Sequence, residues 1–348
     1  GLRERSRDGR AVFGTIDAWL IYKLTGELAT DPSNASRTML LDIARGRWDG
    51  ELLELFGVPE RALPAVASSC GTIGTTRPEA LYGHAVPVAG VAGDQQAALF
   101  GQACLEPGLG KNTYGTGSFV LQHAGHRVPP AVPGLLSTVA WGIGGRLSYA
   151  LEAAIFVTGA AVQWLRDGLG MIAAAAETER LAASLQGNDG VYFVPALTGL
   201  GSPHWDPYAR GTILGLTRGS TKAHLARATL EAIAYQTVDA VRAIEAAAGE
   251  RMQELRADGG ASANGWLMQF QADILGVPVV VPEVAETTAL GAAYLAGVGT
   301  GCWTLDQVRT SWRERRRYEP SIGEDEREGL LHDWVRALER ARGWVERA

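Results

Sequence analysis

The chain has 348 residues, 46% of them hydrophobic and 20% charged. That is enough apolar material for a real core and excludes bulk disorder, and the length suits two ordinary domains or one large α/β unit. A formal net charge of -6 excludes a general nucleic-acid binder.

The first ten residues are mostly polar, which reads as no signal peptide. The stretch Gly14–Gly26 predicts a helix with Ile16, Trp19, Leu20 and Leu24 on its apolar side, stopped by Gly26. A polar turn, DPSNASRTMLLDI, follows, and Asp49–Gly57 predicts a short helix with an acidic start. Residues Ala85–Leu105 read as a small apolar strand, then Gly93 and Asp94, then a helix. Asp94 therefore stands where a strand gives way to a helix, the ligand end of a strand in α/β proteins. Near Pro107 the character changes. Gly110–Gly125 predicts two strands around a Gly-Thr-Gly turn. Further strands are expected at Leu136–Trp141 and Leu147–Leu151, a helix from Glu152 to Leu169, and another over Ala173–Leu185.

A strand is expected at Val191–Pro195, then a Gly/Pro-rich segment, then a long amphipathic helix over Lys222–Ala248. Residues 254–283 read as strand, Gly-Gly turn, helix and strand, a βαβ-like unit. The uncharged stretch Thr287–Leu305 is long enough to span a membrane on length alone. Its four glycines favour a short buried helix instead. Arg313, Arg315, Arg316 and Arg317 read as a solvated face, and the last helix is expected over Glu324–Glu346. The three cysteines, Cys70, Cys104 and Cys302, are odd in number and lack metal-ligand spacing, which points to a reduced, cytoplasmic protein without structural zinc. Glycine, 44 residues, is nearly twice as frequent as usual and clusters beside Asp, Thr, Ser and Asn, as close backbone approach to phosphate requires.

Five segments carry a resemblance: GVAGDQQAALFGQ (Gly90–Gln102), KNTYGTGSFVL (Lys111–Leu121), WDPYARG (Trp205–Gly211), DPSNASRTMLLDI and DGGASANGWLMQFQADILG. Together, and over essentially the whole chain, they resemble the glycerol kinases of the FGGY carbohydrate kinase family. The resemblance implies an α/β, actin/hexokinase-like ATPase fold of two RNase H-like domains. Residues 1–104 would be the C-terminal part of the first domain. Residues 105–348 would be the second, its final helix free to pack back on the first. No counterpart of the family's first phosphate hairpin, Asp-x-Gly-Thr-Thr, is found in the sequence. The resemblance therefore predicts a first domain truncated at its N-terminus.

For the site, the resemblance implies that Asp94 is general base and helps hold Mg²⁺, and that Gln95 and Phe119 address glycerol. Gly115 and Thr116, Gly159 and Gln163, and Gly260 and Asn264 would bind ATP. On local sequence alone Asp94 could equally cap its helix, and the GTG turn could be an ordinary hairpin. The P-loop pattern GxxxxGK[ST] is absent, which disfavours that chemistry. The expected partners are glycerol and ATP/ADP, with no nucleic acid, no membrane span and, by resemblance, a homo-oligomer. The expected reaction is ATP-dependent phosphorylation of glycerol to sn-glycerol 3-phosphate. Two alternatives stand beside it: another FGGY sugar kinase, for a pentulose, and an inactive nucleotide-binding remnant. The segment ALYGHAVPVAG lacks the arginine expected of a sugar-bisphosphate feedback loop.

Overall fold

The structure, a computed structural model, describes residues 1–346. Its centre is a mixed sheet of nine strands. In chain order these are β1 (Cys70–Thr75), β2 (Pro87–Gly90), β3 (Gly110–Tyr114), β4 (Ser118–Gly125), β5 (Leu136–Ile143), β6 (Arg146–Ile155), β7 (Leu255–Asp258), β8 (Val279–Pro282) and β9 (Glu314–Tyr318). They lie side by side as β9-β8-β7-β3-β4-β6-β5-β1-β2. The β3–β4 and β5–β6 pairs are antiparallel hairpins, and β7 runs parallel to both β3 and β8. The βαβ unit expected over 254–283 is thus present, with its helix at Gly265–Leu275.

Seven helices matter for the site: α1 (Ile16–Thr25), α2 (Asp94–Gly101), α3 (Gly159–Gln163), α4 (Lys222–Ala248), α5 (Gly265–Leu275), α6 (Thr287–Gly299) and α7 (Glu324–Ala341). The 27-residue α4 matches its predicted span, because its apolar side recurs at helical period and Gly249 ends it in the left-handed conformation. The largest core cluster joins α4 to Tyr114, Leu151, Leu267 and Trp334. A second cluster joins α2 and α6 to the sheet through Phe100, Leu121, Trp141 and Leu295.

The uncharged stretch after Glu286 is α6, buried against α2 rather than membrane-spanning. A Cβ on Gly101 would stand 2.0 Å from the Thr287 carbonyl oxygen, and one on Gly291 would stand 1.8 Å from that of Ala97. Here glycine serves close helix crossing, a use of the glycine excess that the sequence reading did not foresee. No helix among the described residues is long and apolar enough to cross a membrane.

Several expectations need correction. Where a first domain lacking its front was expected, the chain is folded from Leu2, with a helix over Leu2–Arg7 whose Gly9–Ala11 exit hydrogen-bonds back to Arg5 and Ser6. From there elements succeed one another without interruption to α2. Helix α1 turns a different face inward. Asp17, Ala18 and Ile21 are buried, while Ile16, Trp19 and Leu20 are exposed. The reason is polar: Asp17 accepts hydrogen bonds from the Thr15 and Thr30 hydroxyls and the Asp31 N–H. The helix expected from Glu152 begins only at Gly159, since residues up to Ile155 pair with β4 and β5. Helix α7 stops at Ala341 and packs on α5, Tyr192–Val194 and Thr212–Leu214.

Candidate active site

Gly93 and Asp94 follow β2 and open α2. Asp94 does not cap this helix; Gly93 is the cap residue. The exposed carboxylate accepts from the Gln95 N–H at 2.9 Å and from Gln95 Nε2 at 3.4 Å. Both contacts come from Gln95, and the Asp94 side chain is otherwise exposed. This suits a Mg²⁺ held by one carboxylate with phosphate oxygens and waters. Among the described residues there is no cluster of three or more His, Cys, Asp or Glu fit to hold a metal.

The turn at Asp94 is buttressed from a distance by a network that sequence reasoning missed. The Gly93 N–H donates to Ser33 Oγ at 2.8 Å. Ser33 Oγ in turn donates to the buried Asp31 carboxylate, which also accepts from Asn34 N–H, Asn34 Nδ2 and Ser69 Oγ. Burial pushes the Asp31 carboxyl above its ordinary range, and these donors oppose that shift. Beside it, Arg37 forms a bidentate pair with Glu152, which is wholly buried in β6. In sequence this segment reads as a polar turn that shares in the family resemblance; nothing in it points to residue 93.

Phe119 lies half-buried on β4 directly opposite Thr113, in the second core cluster. Thr113 accepts from Lys111 Nζ at 2.8 Å, and Lys111 Nζ also reaches Gln95 Oε1 at 2.5 Å. Asp94, Gln95 and Phe119 thus gather around Lys111, a residue the sequence reading passed over. Burial pulls the Lys111 ammonium down to about 8, opposed by the charges of Asp258, Glu152 and Asp94.

The other six predicted residues meet elsewhere: Gly115, Thr116, Gly159, Gln163, Gly260 and Asn264 all line one cavity of about 420 Å³. That volume lies within the ~300–1,000 Å³ typical of small-molecule sites. The Gly115–Gly117 turn is clamped to α3, whose Gly159 and Ala160 N–H groups donate to the Gly115 and Thr116 carbonyls. A Cβ at Gly117 would come within 2.3 Å of the Ile155 carbonyl oxygen, and one at Gly159 within 2.7 Å of that of Gly115. Across the cavity, Gly259 has φ +83 and packs on Tyr114, while a Cβ at Gly260 would meet nothing within 4 Å. The space over Gly260 is open for a flat ligand. Asn264 caps α5, its Oδ1 accepting from Leu267 N–H at 3.0 Å, and its Nδ2 reaches Thr178. Arg166 and Glu179 also line the cavity, unpredicted because neither sits in a recognisable motif.

Two sequence patterns match this chain. The N-terminal domain of the FGGY family of carbohydrate kinases matches residues 3–101, and the C-terminal domain of that family matches residues 110–300. The chain belongs to the FGGY family of carbohydrate kinases. The N-terminal-domain match begins at residue 3, against the expectation of a first domain lacking its front. The chain is 55% identical over 349 residues to the glycerol kinase of Nitratidesulfovibrio vulgaris strain DP4, covering 99% of this chain and 70% of that protein. It is 57% identical over 348 residues to the glycerol kinase of Symbiobacterium thermophilum, with the same coverage. Among solved structures it superposes on Plasmodium falciparum glycerol kinase with ADP at a TM-score of 0.91 and 35% identity, covering 97% of this chain and 68% of that one. A Brucella ovis xylulose kinase matches at a TM-score of 0.83 and 25% identity, over 98% and 70% of the two chains.

Proposed function

We infer that this FGGY kinase phosphorylates glycerol at the expense of ATP, giving sn-glycerol 3-phosphate and ADP. The observation that carries the reading is convergence. Six residues from three separate stretches of sequence line one cavity, with Asp94 and Gln95 at a second cluster at the start of α2. The identity to glycerol kinases, 55–57% over nearly the whole chain, favours glycerol over a pentulose.

In this reading the cavity takes the adenosine between the Gly259–Gly260 turn and α3. The Gly115–Gly117 turn, its Gly115 N–H bonded to the Gly117 carbonyl, offers the Thr116 and Gly117 N–H groups to the phosphates. Asp94 accepts the proton of the attacking hydroxyl as its oxygen bonds to the γ-phosphorus and the bridge to ADP breaks. Gln95 orients the hydroxyl, since an amide both donates and accepts. Phe119 walls the carbon backbone. Mg²⁺, held by Asp94 and the nucleotide, would supply charge neutralisation on the phosphates. The cytoplasm, where ATP is made and free cysteines persist, is the compartment this chemistry suits.

The test is glycerol-dependent ADP release by the purified chain, with Asp94→Asn as control. Activity is expected, falling about 10²- to 10⁴-fold in the variant. A folded chain that binds ADP but releases none with glycerol would overturn the reading.

A further inference from the structure

Lys111 is the one buried ammonium in the second cluster, and the reaction as described does not use it. It sits mid-sheet, paired with Arg256 of β7 on one side and Leu121 of β4 on the other, and is wholly buried. Burying an ammonium is costly unless its donors are satisfied, and an apolar side chain of the same volume commonly serves stability as well or better. Stability is therefore a poor reason for a lysine here, and its contacts point to another.

Nζ donates to Gln95 Oε1 at 2.5 Å and to Thr113 Oγ1 at 2.8 Å. A lysine can only donate, so the first contact fixes which end of the Gln95 amide points inward. The oxygen is held by Lys111, and the NH₂ is left facing Asp94 Oδ2, 3.4 Å away. Turned over, the amide would set an oxygen against the Asp94 carboxylate and its NH₂ against the ammonium. Lys111 does not line the cavity assigned to nucleotide.

We propose that Lys111 is a positioning residue for phosphoryl transfer, locking the Gln95 amide so that its NH₂ and the Asp94 carboxylate address the substrate hydroxyl together. The inference rests on the reading of Asp94 and Gln95 as the hydroxyl-handling pair. Lys111 itself touches no substrate.

Lys111→Met, Lys111→Arg, Gln95→Ala and the double variant Gln95→Ala/Lys111→Met separate the possibilities, each checked for thermal unfolding and ADP binding. The expected result is that Lys111→Met lowers kcat/KM for glycerol about 10- to 100-fold while the KM for ATP stays within twofold. Lys111→Arg, which keeps a charged donor, should recover most of the loss. In the Gln95→Ala background, Lys111→Met should cost no more than about twofold, because there is no amide left to hold. Full additivity in the double variant, or an arginine variant as impaired as the methionine one, overturns the inference. A Gln95→Ala protein with unchanged glycerol kinetics would instead remove the functional reading beneath it. Should Lys111→Met not fold, the arginine variant still decides, since it must keep the glycerol kinetics.

Discussion

The adjacent glycines Gly259 and Gly260 make opposite predictions, and that contrast tests the nucleotide cavity sharply. Gly259 has φ +83, and a Cβ there would lie 2.5 Å from the Tyr114 carbonyl oxygen and 2.9 Å from its nitrogen. Those atoms belong to β3, in the middle of the sheet, and cannot move aside. Left-handed backbone costs a residue with a Cβ about 1–2 kcal/mol, and forcing a methyl against fixed backbone adds about 1–3 kcal/mol. Gly259→Ala should therefore lose about 3 kcal/mol of stability. Gly260 has no such neighbour: a Cβ there meets nothing within 4 Å, and Gly260 lines the cavity of about 420 Å³. Gly260→Ala should fold with stability within about 0.5 kcal/mol of the parent.

What Gly260→Ala should lose is nucleotide. A methyl where the ligand needs to approach the backbone costs about 1–3 kcal/mol of overpacking, which is about 5- to 150-fold in affinity. Titration calorimetry with ADP reads the loss directly. Thermal unfolding with and without ADP reads it again, because ligand at 100 times its Kd stabilises by about 2.7 kcal/mol. Wild-type ADP affinity in folded Gly260→Ala would refute the placement of nucleotide over this turn. Equal destabilisation of the two variants would refute the steric reasoning itself.

Three further outcomes are expected. Ser33→Ala removes the acceptor of the Gly93 N–H at 2.8 Å and one donor to buried Asp31, so urea unfolding should show a loss of about 1–2 kcal/mol and turnover should fall while ADP affinity holds. His123, stacked on Trp141 at 5.2 Å, has its imidazole pulled down to about 4 by burial, with His126 adding to the shift. The unfolded chain thus binds the proton more readily, and the stability present above pH 6.5 drains away as pH falls towards 4. That is a loss of about 2 kcal/mol between pH 7 and pH 5, and His123→Phe should remove most of this slope in denaturation measured across that range. Gly329 lies inside α7 with open space where a Cβ would go. Gly329→Ala should raise stability by up to about 1 kcal/mol, visible as a higher urea midpoint with kinetics untouched.

What the sequence made legible follows a physical line. Features written in local pattern came through: the α4 periodicity, the β7–α5–β8 unit, the Gly-Thr-Gly hairpin and the strand-to-helix junction at Asp94. The cavity residues were named from the family resemblance, and nearby backbone demands glycine at Gly117 and Gly159. Features set by partners far along the chain did not come through. Glu152 reads as the first turn of a helix, because Glu-Ala-Ala-Ile is helix-forming in isolation. In the fold it is a strand residue, held by Arg37 from 115 positions away. Helix α1 shows an apolar stripe at Ile16, Trp19 and Leu20, yet it turns Asp17 inward because Thr30 and Asp31 are waiting there.

The same distinction explains why the site was read only in part. Asp94 and Gln95 stand at a strand-to-helix junction that itself suggests a role, whereas Ser33 and Lys111 lie in recognised segments in which nothing local assigns them one. Ser33 lies 60 residues before the Gly93 N–H it accepts from, and Lys111 lies 16 residues after the amide it donates to. Each bridges two partners through polar contacts and shows no local periodicity. Lys111 even breaks the apolar pattern expected of a central strand, so propensity argues against it and only the fold gives it a purpose. A charged residue that interrupts a strand pattern within a recognised segment is thus a signal in its own right. In this chain it marks the side chain that sets the geometry of the two residues the motif supplies.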